Sequence, residues 1–168
     1  MIAGVALMVV LLVMLLELRI SQANERMLLA RGAREPRDPV YKTMRVAYPG
    51  AFVAMAAEGA VTPSMGSGVV VAGIIVLIAG KLLKAWAIRT LGHRWTYRVF
   101  VVPGAPLIES GPYRWMRHPN YVGVVGELVG FAMLVGARMT GPLAVLLFGE
   151  LLRRRIRAEE RALGLSRT

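Results

Sequence analysis

Apolar residues fall in five blocks: Ile2 to Leu18, Val46 to Val61, Ser67 to Ile88, Tyr121 to Ala137, and Gly141 to Leu152. A helix needs about 20 mostly apolar residues to cross a bilayer. The first and third blocks meet that length. The fourth is shorter and holds Glu127, the second holds Glu58, and the fifth is short and holds Glu150. Pro119 is well placed to open a helix, because a first-turn position needs no N–H donor. The pattern predicts helices over 2–18, 46–61, 67–88, 119–137 and 140–161, joined by a polar connection over 89–118. Pro36 and Pro39 break any helix between the first two blocks.

The cations decide how these blocks are used. Seven Lys/Arg lie between Arg19 and Arg45, seven between Lys81 and Arg117, and six from Arg153 onward, against one, Arg138, in the turn after the fourth block. If all five blocks span, 20 of the 21 fall on one side. Lys and Arg concentrate in cytoplasmic loops. The expectation is an all-α integral membrane protein of five transmembrane helices in one domain over 1–168, with the N-terminus outside and the C-terminus in the cytoplasm. No basic residue precedes the first block, so it reads as a retained helix rather than a signal peptide. A net charge of +11 could suggest nucleic acid, but its blockwise spread along apolar segments points to membrane lipid instead. With no Cys and two His, neither a disulfide frame nor a metal site is expected.

The fifth block carries chemistry into the bilayer. Its twelve apolar-side residues cover about 18 Å, against a hydrocarbon core of about 30 Å. The helix must therefore run on through "RRRIRAEE" (Arg153 to Glu160), where Arg153, Arg157 and Glu160 share a face at spacings of four and three. Arg can snorkel, but Glu127 and Glu150 cannot reach far. A charge near the bilayer centre costs at least about 2.5 kcal/mol, so it faces a partner or a wet cavity. That predicts a polar cavity open to the cytoplasm, with Glu58 solvated at the outer interface. Gly123, Gly126 and Gly130 favour close helix packing. At the mouth of the fourth helix, free amides, the positive helix end and Arg117 favour an anion or carboxylate, with His118 and Tyr121 adding hydrogen bonds. The "GSG" run at Gly66 to Gly68 has no preceding strand and is no nucleotide loop.

Three stretches, "LGHRWT" (Leu91 to Thr96), "GPYRWMRHPNYVG" (Gly111 to Gly123) and "RRRIRAEERAL" (Arg153 to Leu163), resemble the isoprenylcysteine carboxyl methyltransferase family over roughly Gly80 to Leu165. The resemblance implies S-adenosylmethionine as cofactor, in a pocket closed by the C-terminal helix. His118, Pro119, Tyr121, Glu159 and Glu160 would hold it, with Arg117 at the helix mouth and Gly92 and His93 lining the same pocket. Arg153 and Arg157 would hold the negative oxygen of the acceptor. The first half, with "NERMLLARGAREP" (Asn24 to Pro36), is similar to bacterial members linked to polyketide methylation. The implied acceptor is lipophilic: a prenylcysteine carboxylate or a long-chain phenolic or pyrone lipid. A sulfonium donor needs a carboxylate for its amino group and little acid–base help. Glu127 and Glu150 are the carboxylates nearest the role of a base. The Arg-His-Pro-x-Tyr core is also similar to NADPH-dependent sterol reductases, so a membrane reductase is one rival and a non-enzymatic membrane scaffold the other.

Overall fold

The computed structural model describes residues 2–165. Five helices form: α1 (Ile2–Ala30), α2 (Tyr41–Val61), α3 (Ser67–Leu91), α4 (Pro119–Val135) and α5 (Thr140–Ala162). Between α3 and α4 lie two short 3-10 turns, Gly92–Arg94 and Gly111–Arg114, and the described residues contain no strand beyond an isolated Arg34–Val101 bridge. By length and composition, α1 and α3 can cross a membrane, while α4 is a shorter apolar helix.

α1 runs past Leu18, where its apolar block stops, to Ala30. Its buried face explains this. Glu17, Ser21, Asn24 and Leu28 recur at spacings of four, three and four, which is one helical stripe. Ser21 Oγ accepts from the Tyr97 amide at 2.8 Å, and Asn24 Nδ2 donates to the Trp95 carbonyl at 2.8 Å and the Gly92 carbonyl at 3.2 Å. The polar second half of α1 therefore packs on the 92–97 segment and satisfies its backbone. α2 likewise begins earlier than its apolar block, at Tyr41, because Asp38 Oδ1 accepts from the amides of Val40 and Tyr41. That is how a short carboxylate caps an N-terminus.

α3 and α4 pack most closely, and glycines permit it. A methyl group on Gly80 would sit 2.8 Å from the Gly123 carbonyl and 2.9 Å from the Glu127 amide, both backbone atoms. Gly73 and Gly130 meet the partner backbone the same way. Gly80→Ala is expected to cost about 1–3 kcal/mol through overpacking, lowering the thermal midpoint in detergent by roughly 3–10 °C. Gly149→Ala, with nothing within 4 Å of the added carbon, serves as the control and should match or slightly exceed the native midpoint.

Glu58 is not simply solvated. Its carboxylate accepts from the amides of Met139 at 2.9 Å and Thr140 at 2.7 Å, and from the Thr140 hydroxyl, so α2 caps α5 across the turn. Glu150 also departs from expectation. It is exposed and paired on its own helix with Arg154 at 2.9 Å and Arg153 at 3.9 Å, in no cavity. Glu127 is the carboxylate that is fully buried. The apolar core around it is Tyr48, Phe52, Phe131 and Phe148, whose rings meet at centroid distances of 5.0–5.1 Å.

Candidate active site

Two cavities lie side by side at the end of the bundle where α3 closes and α4 opens. The first, of about 510 Å³, is walled by the 91–117 connection, the first turn of α4 and the end of α5. Its polar lining includes Arg98, Arg117, His118, Tyr121, Arg155 and Glu159. The second, of about 390 Å³, lies between α1, α2, α4 and α5 and is lined mainly by apolar side chains such as Leu11, Met14, Met44, Val124, Phe148 and Leu152. Thr96, Asn120, Tyr121 and Arg155 line both, so these four side chains form a common wall.

Arg155 is the centre of that wall and was not singled out by sequence reasoning. It is 5% exposed. Its Nε donates to the Tyr121 hydroxyl at 2.9 Å, its Nη1 pairs with Asp38 at 2.6 Å, and its Nη2 donates to the Tyr97 carbonyl. One guanidinium thus joins α5, α4, the α1–α2 connection and the α3–α4 connection. Such a fork suits a planar donor set, and a buried Arg of this kind needs its carboxylate partner. Arg153 and Arg157 lie two positions to either side, roughly 200° around the helix. They are exposed, line neither cavity, and Arg153 pairs with Glu150. The available signal was the stripe Phe148, Leu152, Arg155, at spacings of four and three, which carries the apolar face of α5 into Arg155.

The acidic pair on α5 divides. Glu159 lines the first cavity and accepts from the Tyr121 hydroxyl at 2.6 Å. Glu160 lies outside its lining and meets His118 Nε2 at 3.2 Å and Arg117 at 3.7 Å. His118 stacks on Tyr121, with centroids 5.5 Å apart. Pro119 is buried at the first position of α4. Gly92 carries a positive φ of 53° and offers its carbonyl to Asn24, while His93 is exposed; neither lines the cavity. Burial and the neighbouring Glu159 push the Tyr113 phenol above its ordinary range, so it enters the cavity wall protonated.

Glu127 belongs to a second cluster, one to two helical turns deeper. It faces Lys81 at 2.7 Å and Lys84 at 3.6 Å, and Tyr48 donates to it at 2.6 Å. Glu17 of α1 accepts from Lys84 at 2.6 Å and from the Tyr97 hydroxyl at 2.9 Å. Two carboxylates and two ammoniums balance, which is what tolerates them in an apolar interior. Glu127 does not line either cavity and is held away from the common wall. Among the described residues, no group of three His, Cys, Asp or Glu could hold a metal ion.

Residues 72–164 match the isoprenylcysteine carboxyl methyltransferase (ICMT) family. The chain is 32% identical over 150 residues to the uncharacterized protein YpbQ of Bacillus subtilis (strain 168), covering 88% of each chain. It is 30% identical over 99 residues to the protein-S-isoprenylcysteine O-methyltransferase of Saccharomyces cerevisiae, covering 55% of this chain and 40% of the yeast protein. A probable protein-S-isoprenylcysteine O-methyltransferase of Oryza sativa subsp. indica is 32% identical over 65 residues, 38% of this chain and 34% of its own. No solved structure matches.

Proposed function

The chain belongs to the isoprenylcysteine carboxyl methyltransferase family, and from that premise we propose that it is an S-adenosylmethionine-dependent O-methyltransferase acting on a lipophilic acceptor. The observation that carries this reading is the common wall. A polar cavity on one side and an apolar one on the other share Thr96, Asn120, Tyr121 and Arg155. A charged donor and a lipid acceptor need such an arrangement, because each keeps its own solvent while their reacting atoms meet.

The residues of the first cavity fit the donor. Its volume lies within the roughly 300–1,000 Å³ usual for small-molecule sites. Glu159 offers a carboxylate for an ammonium, and Arg117 with the start of α4 offers positive potential for a carboxylate. S-adenosylmethionine, when bound, supplies an electrophilic methyl group. Arg155 and Tyr121 orient the acceptor oxygen at the wall. The guanidinium favours the ionised form of a carboxylate, phenol or enol, and positioning lowers the barrier by several kcal/mol. No general base enters this mechanism for an acceptor already ionised. The acceptor is a prenylcysteine carboxylate, the class named for the yeast and rice relatives, or a long-chain phenolic or pyrone lipid.

The five helices all span in this reading. The N-terminus lies outside, and the site faces the cytoplasm, on the side where the cations gather. Thermal unfolding of the detergent-purified protein with S-adenosylhomocysteine and with NADPH tests the reading. A raised midpoint with the first alone is expected, as linkage requires of a ligand that binds the folded state. A rise with NADPH alone would replace the proposal with a reductase. Methyl transfer from labelled donor to candidate lipids then identifies the acceptor.

A further inference from the structure

The outward face of α3 changes character at its C-terminal end. Val71, Ile75, Ile78, Leu82 and Trp86 recur at spacings of four, three, four and four, and all five are exposed. Arg89 continues the stripe three positions on, in the last turn, and is exposed too. A spanning helix with hydrocarbon on this face meets the headgroups at Trp86, because Trp followed by a cation marks that depth.

A second segment is brought to the same level. Gly111 lies against α3 with a positive φ of 56°, and a carbon added to it would stand 2.5 Å from the Thr90 hydroxyl and 3.2 Å from Trp86 Nε1. The 3-10 turn Gly111–Arg114 therefore rests on the end of α3. It delivers Trp115 onto Trp86, with ring centroids 5.5 Å apart and planes at 65°. The contact does not hide the pair: Trp86 remains 44% exposed and Trp115 68%. Arg114 and Met116, on either side of Trp115, face outward as well. The ion pairs of the described residues use other cations, and Arg89 and Arg114 stand outside them. One cation at a helix end complements its dipole, but Arg114 comes from another segment and has no such role. Arg114 also lines the polar cavity, whose lining holds five guanidiniums against two carboxylates, so no local excess of anions offsets it.

The complement of this surface is a molecule with an anionic head and a hydrocarbon body. A soluble acidic protein or a free phosphate would meet the guanidiniums and leave the stripe below them bare. That stripe runs about 16 Å from Leu82 to Val71, close to half of the roughly 30 Å hydrocarbon core and so to the depth of one leaflet. We propose that Trp86, Trp115, Arg89 and Arg114 form a seat for the head of an anionic phospholipid, whose acyl chains lie along the exposed stripe of α3. The guanidiniums take the phosphodiester, and the indoles sit at the polar–apolar boundary beneath it. A zwitterionic head brings the same phosphate with a cation attached, which two arginines disfavour. The seat goes beyond the methyltransferase reading and takes from it only that α3 spans.

The test is the lipid selectivity of the full chain in a bilayer. The protein is reconstituted in phosphatidylcholine vesicles that carry an equal fraction of either brominated phosphatidylglycerol or brominated phosphatidylcholine, with bromine near the headgroup end of the chain. Bromine quenches tryptophan on contact, so the exposed pair reports, and Trp95, 3% exposed, adds a constant background. The native protein is expected to favour phosphatidylglycerol at least about fivefold, the factor that one surface arginine supplies. Arg89→Gln with Arg114→Gln should remove most of that preference. Each single variant should lose part of it, which keeps the test open if the double variant does not fold. Lysine at both positions should keep most of it, because the seat uses charge. Arg153→Gln with Arg157→Gln removes the same charge from the outer face of α5 and should leave the preference unchanged. Thermal midpoints report the fold of each variant. Equal quenching by the two lipids, a preference that survives in the folded Arg89 and Arg114 variants, or an equal loss in the α5 control overturns the proposal. Displacement by millimolar inorganic phosphate at constant ionic strength would assign the seat to a soluble anion and overturn it too. Quenching by neither lipid would remove Trp86 from the interface, and the spanning of α3 would fall with the seat.

Discussion

Arg155→Lys is expected to lower kcat/KM by about 100-fold or more while the protein stays folded. A lysine in that place keeps a charge for Asp38. It cannot span Tyr121, Asp38 and the Tyr97 carbonyl at once, because an ammonium lacks the planar fork. The acceptor oxygen and the donor then lose their shared alignment, and in-line transfer is sensitive to small displacements. Arg155→Met is a different experiment. It leaves the buried Asp38 carboxylate with two amide donors but no cation, and breaking a buried ion pair costs about 3–5 kcal/mol, so its lost activity would report unfolding as much as chemistry. Arg153→Ala and Arg157→Ala, both exposed, should stay within about 0.5 kcal/mol of native stability and keep turnover. Loss of transfer in either of those, with Arg155→Lys active, would return the acceptor's oxygen to the outer face of α5.

Glu159→Gln is expected to raise the KM for S-adenosylmethionine about 10- to 100-fold with kcat little changed. The carboxylate lines the polar cavity, and its loss removes a charge-assisted bond made equally in ground and transition states. Glu160→Gln should have a smaller effect, since that carboxylate braces His118 and Arg117 from outside the lining. Steady-state kinetics with varied donor separates the two. If Glu160→Gln gave the larger KM change, the cofactor's ammonium would belong at the mouth of α4 instead.

The helices were legible wherever apolarity alone sets them. Four of the five blocks lie inside helices. The fourth overruns α4 by two residues, because Gly136 takes a positive φ of 78° and ends the helix at Val135. The glycine stripe of α4 predicted the close contact that Gly80 and Gly73 complete from α3. Where polar side chains do the packing, the sequence pattern fell silent. α1 continues through "SQANERMLLA" because Ser21 and Asn24 bind backbone sixty-eight and more positions away, which no local window contains. On α5, four arginines crowd one stretch, and spacing by four and three selects two opposite faces equally well. Only the continuity of Phe148 and Leu152 with Arg155 separates them. Asp38 gave no signal at all: its role depends on Arg155, 117 positions later.

The partnership of Glu17 with Lys84 also constrains how the chain is made. The two residues are 67 positions apart. At about 5–20 residues per second of synthesis, α1 waits roughly 3–13 seconds with a bare carboxylate before its cation leaves the ribosome. A helix that enters the bilayer in that interval has no cation on α3 to meet Glu17, and a lone carboxylate is costly at membrane depth. Only the arrival of α3, and then of the segment bearing Tyr97, lets α1 take its final depth. The polar stripe on α1 thus couples the seating of that helix to the emergence of residues as far along as Tyr97.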